Sequence, residues 1–599
     1  MLLISGATYL GSVVSPPSLM DDVDAVQAQI ARTMLTSGDW VTARIDGVVY
    51  LEKSPLLYWM TAVSYRVFGV HDWAARIPVA LSTIALCLLA VGFGSWAFGE
   101  RAGFYAGLCL STCVGLFLFT RILIPDVMVT FTITLALWSF LRALDEHEPR
   151  PRFWATMLAV SFGLGLLIKS LIAVVFPAAV GLLYLALTHQ LFSARVWRRL
   201  YPLTGALIAL AIAAPWHVIA TLRNPPHFAW TFQSGPAQYH GFFWKYFINE
   251  QLLRFLNRRY PRDYDTVPRL WFWLLHLVWL FPWSVYFPAA ARLCFRPVDR
   301  AGRARLLALV WIGFVMAFFT FSTTQEYYSM PIYPAVALLL GSAMAAGGVW
   351  VRRGTRALAA VTACAALAAI LILIHVRTIP APGDISAALV PHPGAYKLSL
   401  GHMEDLTLDS FAYLRLPLIL SACTLALGAV GSMRWTGPRA FWAAALMMVV
   451  FFQAARLAMV VFDPFLSSRS LAKALGQAPP GTLVAQGFYY KFSSVFFYTN
   501  RTGLLVSDNR ANLEYGSNAP GAPKVFIDRM EFKDLWLSPE RVYLLAAEAD
   551  VSKFEAMAGG GEFETLAESG GKALLTNHAL MSSQRNDHFF SSRAIGWIY

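Results

Sequence analysis

The feature that most constrains this chain is a series of apolar runs of about 18 or more residues that recurs along most of its length. A helix of about 20 apolar residues crosses the hydrocarbon core of a bilayer. Of the 599 residues, 57% are hydrophobic and 14% are charged, whereas soluble domains carry about 25% charged residues. The sequence therefore predicts an all-α polytopic membrane protein, and the length of the runs excludes a β-barrel, whose strands are short and alternating.

About thirteen spans are predicted. They lie near residues 2–15, 75–97, 103–120, 124–143, 153–169, 171–188, 203–221, 270–293, 304–322, 329–348, 356–376, 413–431 and 440–461.

The short loops between these spans sort by charge, because one set carries nearly all of the basic residues. The positive-inside rule makes the basic side cytoplasmic. The opposite, extracytoplasmic side then holds loops 16–74, 222–269 and 377–412 and the whole segment after residue 461, in a multi-pass protein of the cell membrane. The basic loops contain Arg101, Arg150, Arg152, Arg195, Arg198, Arg199, Arg296, Arg300, Arg303, Arg305, Arg352, Arg353, Arg434 and Arg439.

The segment 462–599 differs in composition from the membrane part, 1–461, because short β-branched runs alternate with helical patches. This pattern is typical of a small α/β domain. We therefore predict a transmembrane domain over 1–461 and an extracytoplasmic α/β domain over 462–599. Its strands are expected at 482–487, 494–499, 524–529 and 541–547, with a helix at 551–558.

The first external loop concentrates charge. Val26, Ile30 and Met34 are spaced for one face of an amphipathic interfacial helix, and a second such segment covers 56–68. Asp21, Asp22 and Asp24 precede or begin the first helix, where the helix dipole favours carboxylates. Three acids exceed what a helix cap needs. The Asp22-Val23-Asp24 pair suits a general base or a divalent cation, and both alternatives remain open.

Cations and carboxylates from several segments are predicted to meet on this external side. Because the positive-inside rule disfavours clustered Lys and Arg there, an anion is the expected reason for them, and a phosphate at the membrane surface fits best. The net charge of +13 is then a consequence of topology, and no nucleic-acid partner is expected. The cations are Lys53, Arg121, Lys169, Arg254 and Arg258, and the accompanying carboxylates are Glu52, Asp126 and Glu250.

Several motifs resemble those of the phospholipid carrier-dependent glycosyltransferases, which include bacterial 4-amino-4-deoxy-arabinose lipid A transferases and, more distantly, protein O-mannosyltransferases. The resemblance covers roughly residues 18–345, and its most specific part is the G-D-W-V-T…Y-L-E-K-S-P-L-L-Y-W run. The motifs are ARTMLTSGDWVTARIDGVVYLEKSPLLYW (31–59), FGVHDWAARIP (68–78), RILIPDVMVTF (121–131), GLGLLIKS (163–170) and YSMPIYPAVALLLG (328–341).

This resemblance implies a GT-C type membrane fold with two juxtamembrane helices in the first external loop. It also implies transfer of a sugar from a polyprenyl-phosphate carrier to a lipid, glycan or protein acceptor on the outer face of the inner membrane. The family's carboxylate in the first loop favours Asp22 as catalytic base, with Asp21 and Asp24 as rivals. Glu52 and Lys53 match the family's Glu-Lys pair, and Asp126 matches a further acid.

In the resulting hypothesis, Lys53 and Arg121 stabilise the leaving phosphate, supported by Lys169, Arg254 and Arg258. Asp22 or Asp24 takes the acceptor proton, and Asp126 orients that base, a cation or a metal. Direct displacement predicts inversion at the sugar carbon. Asp21, Glu52 and Glu250 support the site. No cofactor is required by the sequence, although Asp22, Asp24 and Glu52 leave a divalent cation open. Membrane lipids are expected partners, and no obligate protein partner is expected.

One segment departs from the family pattern. Residues 324–328, T-Q-E-Y-Y, stand where many relatives carry basic residues, so which cations hold the phosphate there is open. A membrane transporter or flippase of lipid-linked saccharides is the alternative function. It predicts internal repeats and interrupted helices near the midplane, and no convincing repeat is visible in the chain.

Overall fold

The computed structural model describes residues 1–14, 17–261, 266–390, 405–507 and 509–579. Parts of loops 222–269 and 377–412 and the last twenty positions of the predicted C-terminal domain lie outside this description.

Up to residue 461, the regular elements of the described residues are helices and one short β-hairpin, β1 (Arg44–Ile45) and β2 (Val48–Val49). A stretch of π-helix, Trp244–Leu253, and a 3₁₀ turn, Glu326–Ile332, interrupt the α-helices. The α-helices are α1 Leu2–Tyr9, α2 Gly11–Val14, α3 Val23–Ser37, α4 Leu56–Phe68, α5 Asp72–Phe98, α6 Glu100–Ser111, α7 Val114–Phe119, α8 Asp126–Leu144, α9 Pro151–Lys169, α10 Ile172–Leu187, α11 Ala194–Leu200, α12 Pro202–Arg223, α13 Gly241–Phe243, α14 Arg269–Leu274, α15 His276–Trp279, α16 Phe287–Ala290, α17 Arg300–Phe321, α18 Tyr333–Ala346, α19 Val349–Val376, α20 Arg415–Arg434 and α21 Pro438–Val461.

In the described part of the chain, nine helices are long and apolar enough to cross a membrane, and a bent helix pair raises this number to ten. The nine correspond to nine of the thirteen predicted spans. The bent pair, Arg269–Trp279 and Trp283–Ala290 at 97°, occupies the span predicted at 270–293. Shorter helices occupy the three other predicted spans, 2–15, 103–120 and 171–188, so length alone does not make each of them a crossing.

The first external loop contains the two amphipathic helices expected there, α3 and α4. Val26, Ile30 and Met34 are 0%, 0% and 2% exposed, so the predicted apolar face is buried. It packs against the C-terminal part of the chain as well as against α4, because both present apolar side chains to it. Helix α3 ends at Gly38, whose φ of 73° is the left-handed conformation that glycine adopts without strain.

The C-terminal part forms one six-stranded sheet in the order β5-β4-β3-β6-β8-β7, flanked by short helices. Strands β3 to β6 pair in parallel, and β7 and β8 add an antiparallel edge. The strands are β3 Thr482–Gln486, β4 Leu504–Val506, β5 Phe526–Ile527, β6 Val542–Ala547, β7 Glu564–Ser569 and β8 Lys572–Thr576. The helices are α22 Asp463–Leu466, α23 Arg469–Gln477, α24 Ser493–Thr499, α25 Glu514–Ser517, α26 Arg529–Trp536 and α27 Val551–Ala558.

The small C-terminal α/β fold was correctly predicted, but the strand expected at 494–499 was wrong. That segment is helix α24, in which Val495, Phe496 and Phe497 are all buried. In a short run whose side chains are buried on several sides, apolar residues follow neither the helical nor the strand spacing, so the sequence pattern does not distinguish the two. The division of the chain into two domains at residue 461 stays a prediction.

Candidate active site

A cluster of buried charges lies where the loop between β2 and α4 meets the π-helix Trp244–Leu253. Glu52 Oε1 lies 3.2 Å from Lys245 Nζ and 3.3 Å from Arg259 Nη2. Glu250 Oε1 accepts a hydrogen bond of 2.6 Å from Arg259 Nε. The side chains of Glu52, Lys245, Glu250 and Arg259 are all 3% exposed or less. Such burial is tolerated only because each charge has partners of opposite sign.

The π-helix explains why Lys245 and Glu250 meet. Its i→i+5 hydrogen bonding places residues five apart on one face, and Lys245 Nζ lies 3.5 Å from Glu250 Oε1. Arg254 adds a contact of 3.1 Å to Glu250 Oε2. Burial raises the pKa of Glu250, but Arg259, Lys245 and Arg254 lower it by more, so the pKa lies well below its usual range. Glu250 is therefore a fixed anion that holds the cations in place.

Lys53 is half-buried beside this cluster and forms no ion pair with a carboxylate of the described residues. Burial lowers the pKa of Lys53, and the neighbouring Arg254 lowers it further. Glu52 and Glu250 raise it by less, so the pKa lies below its usual range. A half-buried cation without an ionic partner is the group most available to a ligand anion.

The segment that departs from the family pattern contributes aromatic side chains to the same place. Arg254 Nη2 donates a 2.7 Å hydrogen bond to the Tyr328 hydroxyl. Lys169 Nζ lies 4.8 Å from the centre of the Tyr328 ring and 5.4 Å from that of Tyr327. The tyrosines that replace basic residues thus orient two cations that other segments supply.

Asp126 and Lys169 form a direct ion pair because they occupy matching helix ends. Asp126 begins α8 and Lys169 ends α9, where the helix dipoles favour an acid and a base respectively. Asp126 also lies within electrostatic reach of Lys53 and Arg254. The pair therefore borders the buried cluster and adds no net charge to it.

The three aspartates of the first loop have separate environments. Asp21 binds the C-terminal part: its Oδ1 accepts from Ser494 N at 2.9 Å and from Ser494 Oγ at 2.7 Å, and its Oδ2 accepts from Ser468 Oγ at 2.6 Å and from Lys572 Nζ at 2.7 Å. These four contacts use both carboxylate oxygens in structural roles.

Asp24 is buried, and its Oδ1 accepts a 2.7 Å hydrogen bond from Leu123 N, while Oδ2 lies 3.3 Å from Arg76 Nη2. Burial raises the pKa of Asp24, although Arg76 and the Leu123 N–H lower it. The carboxylate holds the turn before α8 against α5.

Asp22 is exposed and has a φ of 78°, which is strained for a residue with a side chain. The C-terminal part holds this conformation: Asp22 N donates to Tyr490 O at 2.8 Å, and Ser493 Oγ donates to Asp22 O at 3.1 Å. Burial raises the pKa of Tyr490, and Glu52 and Asp22 raise it further, so this phenol lies within electrostatic reach of both carboxylates.

Asp22, Asp24 and Glu52 do not converge on one point, because Asp24 binds Leu123 N and Arg76 whereas Glu52 binds Lys245 and Arg259. Across the described residues, no group of three or more His, Cys, Asp or Glu side chains is arranged to hold a metal ion. The divalent cation that the sequence left open therefore has no three-residue ligand set in the described part of the chain.

Two sequence-predicted cations lie apart from Lys53. Arg121 donates to the carbonyls of Phe117 and Thr8, each at 3.4 Å, and shares no described ion pair or hydrogen bond with the cluster. Arg258 is exposed. The neighbouring Arg259, and not Arg258, contacts Glu52 and Glu250 in the cluster. The basic stretch 254–262 contains four arginines, and no periodic pattern distinguishes which of them points inwards, because the chain leaves the helix there.

Comparisons with known proteins identify families and structures to which this chain is similar. Residues 52–219 match the family model described as dolichyl-phosphate-mannose-protein mannosyltransferase. The chain is 29% identical over 354 residues to an undecaprenyl phosphate-alpha-4-amino-4-deoxy-L-arabinose arabinosyl transferase of Pseudomonas aeruginosa, over 57% of this chain and 59% of that protein. It is 26% identical over 533 residues to the protein of the same name from Aeromonas salmonicida, over 86% of each. The resemblance predicted from the sequence is therefore confirmed.

The fold is that of a solved structure, ArnT from Cupriavidus metallidurans bound to undecaprenyl phosphate. The TM-score is 0.77 over 96% of this chain and 97% of that one, at 21% identity. An oligosaccharyltransferase of Archaeoglobus fulgidus matches with a TM-score of 0.51 at 11% identity, over 96% of this chain and 73% of that one. The alignments with the Pseudomonas relatives span 52% to 59% of those relatives' length.

Proposed function

We propose that this chain, which shares the fold of ArnT and sequence motifs of the lipid-carrier-dependent glycosyltransferases, transfers a sugar from a polyprenyl-phosphate carrier to a lipid, glycan or protein acceptor. The observation that carries the proposal is the charge of the buried cluster taken together with Lys53 and Arg254 beside it. Lys53, Lys245, Arg254 and Arg259 face Glu52 and Glu250, which leaves a net charge of +2. An anion of about two charges would neutralise it.

The leaving group of the proposed reaction has that charge. A sugar linked to a lipid phosphate carries one negative charge on its phosphodiester. When the bond between the sugar carbon and the phosphate oxygen breaks, the electron pair stays on the phosphate, which becomes a dianion. The cluster therefore stabilises the departing phosphate more than the bound donor, and this difference is what accelerates a reaction.

Lys53 and Arg254 are the proposed phosphate ligands, with Lys169 and the Tyr328 hydroxyl beside them. Glu52 and Glu250 hold the cations of the cluster in position, and Lys245 and Arg259 bridge the two carboxylates. Such a preorganised arrangement needs no rearrangement as charge develops on the phosphate.

Asp22 is the proposed general base. Of the three aspartates, Asp22 is the exposed one, whereas Asp24 is buried and Asp21 is half-buried against the C-terminal part. Asp22 would take the proton of the attacking acceptor hydroxyl as that oxygen bonds to the sugar carbon. Attack opposite the leaving phosphate inverts the sugar carbon. Asp126, paired with Lys169, is the proposed positioning residue for the cation.

The proposed orientation places this site and the C-terminal sheet on the extracytoplasmic face of the cell membrane. The basic loops on the other side support it. Hydrogen bonds join the backbone of Asp21 and Asp22 to residues 466, 490 and 493 of the C-terminal part. They maintain the strained backbone of the proposed base, so the C-terminal part has a positioning role.

A direct test uses the full chain in detergent with two donors, 4-amino-4-deoxy-L-arabinose and mannose, each linked to undecaprenyl phosphate, and an extract of bacterial membrane lipids as acceptor. The relatives' names make the arabinose donor the expected substrate. Release of undecaprenyl phosphate is measured for the native chain, for Lys53→Gln and for the control Lys524→Gln, which removes an exposed lysine paired with Glu531. Release by the native chain and control but not by Lys53→Gln supports the proposal, and no release from either donor contradicts it.

A further inference from the structure

A second group of arginines lies buried outside the proposed donor site. Arg76 and Arg121 are 8% and 7% exposed, and both line one small cavity of about 20 Å³. Tyr9, Ala80 and Thr120 complete much of its wall. A cavity of this size holds at least one water-sized group.

The two guanidinium groups have too little negative charge around them. Among the described residues, Asp24 is the one carboxylate that contacts either of them, at 3.3 Å from Arg76 Nη2. Nη1 of Arg76 is buried and has no hydrogen-bond partner. Arg121 has two hydrogen bonds of 3.4 Å to carbonyl oxygens and stacks at 4.2 Å on the Phe117 ring. A third arginine, Arg456, acts on Arg121 with the same sign.

The next carboxylates along this surface are already engaged. Asp463 accepts hydrogen bonds from Ser18 N at 2.7 Å and Ser18 Oγ at 2.6 Å. Asp72 accepts from the Tyr498 hydroxyl at 3.1 Å and lies 3.3 Å from Arg469. Neither neutralises the pair, so the cavity keeps an excess of positive charge. A buried charge without a counter-charge costs several kcal/mol.

We infer that Arg76 and Arg121 form a second anion-binding site, separate from the cluster around Lys53, which takes an oxyanion of the phosphate class. Arg76 offers an unused N–H, and the Phe117 ring fixes the plane of the Arg121 guanidinium, so both present planar donor edges that suit phosphate oxygens. The ligand is either free phosphate or the headgroup phosphate of a membrane lipid. Asp24 connects the two sites, because it binds Arg76 on one side and the turn before Asp126 on the other.

The test separates this site from the donor site by working in a Lys53→Gln background. The melting temperature of the detergent-purified full chain is measured against inorganic phosphate at constant ionic strength, with chloride as the compensating ion. We expect a saturable rise of about 1–2 °C, which is what ligand linkage gives for a chain of this size. The same measurement is repeated in mixed micelles with phosphatidylglycerol or phosphatidylcholine.

Arg121→Gln added to Lys53→Gln is expected to abolish the rise. Ala80→Leu fills the cavity and keeps both arginines, and it should abolish the rise in melting temperature too. This second variant keeps the test valid if Arg121→Gln fails to fold. Arg223→Gln, which removes an exposed arginine paired with Asp39, is the matched control and should keep it. A rise with phosphate identifies a free oxyanion as ligand, and a rise with phosphatidylglycerol alone identifies a headgroup.

The inference is overturned if neither ligand raises the melting temperature, if chloride acts as strongly as phosphate, or if the rise survives both Arg121→Gln and Ala80→Leu. These outcomes do not depend on sugar transfer, because the readout is a melting temperature, the Lys53→Gln background lacks one of the two proposed phosphate ligands of the donor site, and Arg121→Gln and Ala80→Leu change only the second site. A failure here therefore leaves the proposed transferase function untouched.

Discussion

Replacing Lys53 by Gln is expected to abolish most of the transferase activity while leaving the fold as stable as before or more stable. Lys53 has no ionic partner among the described residues, and it adds a positive charge next to Arg254 in a cluster that already carries three other cations. Burial and this repulsion disfavour the ammonium in the folded protein. Removing it therefore removes an unfavourable term from the free energy of folding.

The loss of activity follows from the charge that develops on the leaving phosphate. One additional charge at about 4 Å from the Lys53 ammonium interacts with about 4 kcal/mol at an effective dielectric constant of ~20, and with about half of that if water screens the pair twice as strongly. Because about 1.4 kcal/mol is a factor of ten in rate, kcat should fall by roughly 30- to 1,000-fold. The effect on KM should be smaller, since the donor carries one charge less than the leaving group.

The assay is release of undecaprenyl phosphate under single-turnover conditions, together with the melting temperature of each variant. Lys245→Gln is the comparison: its Nζ is paired with both Glu52 and Glu250, so this variant should lower the melting temperature as well as the rate. The reasoning is refuted if Lys53→Gln destabilises the fold as much as Lys245→Gln does, or if it retains more than about a third of the native kcat.

Five further outcomes are expected. Asp22→Asn should remove transfer, and activity equal to that of the native protein would contradict this expectation. Asp21→Asn should increase proteolysis of the C-terminal part, because Asp21 binds Ser468, Ser494 and Lys572. Tyr328→Phe should lower kcat/KM by about tenfold through the lost bond to Arg254, and unchanged kinetics would exclude that role. The alkaline limb of the activity profile should lie below the usual lysine range, because burial and Arg254 lower the pKa of Lys53, and Lys53→Arg should move it upwards if the assignment is correct. Burial raises the pKa of Asp46 to about 6, above the value near 4 that it has in the unfolded chain. The free energy of unfolding should therefore decline by at most about 3 kcal/mol as the pH rises from ~4 to ~6. The melting temperature of the native protein should follow this decline, and that of Asp46→Asn should not.

The structure brings some residues of the sequence-predicted site together and leaves others apart. The Glu52-Lys53 pair, Asp126, Lys169 and Arg254 lie together, as expected from their common side of the membrane. Lys245 and Arg259 complete the cluster although no pattern marked them, since a π-helix and the non-helical chain after it have no period that sequence analysis recognises.

The aspartates show a second kind of limit. Their spacing in the sequence suggested one shared function, but a strained backbone at Asp22 and bonds to distant segments separate them. The partners of Asp21 are more than 440 residues away in the chain, and contacts at such a separation depend on how the C-terminal sheet packs on α3. A single sequence contains no record of that packing.

The sequence by itself determined the membrane-embedded helical class, nine of the spans, the external location proposed for the charged loops and the small C-terminal α/β fold. These follow from hydrophobic length, charge asymmetry and local periodicity, which are properties of neighbouring residues. Only the tertiary structure decided that Lys53 forms no ion pair with a carboxylate of the described residues, that Arg121 joins Arg76 around a separate cavity and that the C-terminal part holds the backbone of Asp22. The physical reason is that electrostatic pairing and burial depend on distances between segments remote in sequence, and these distances exist only once the chain has packed.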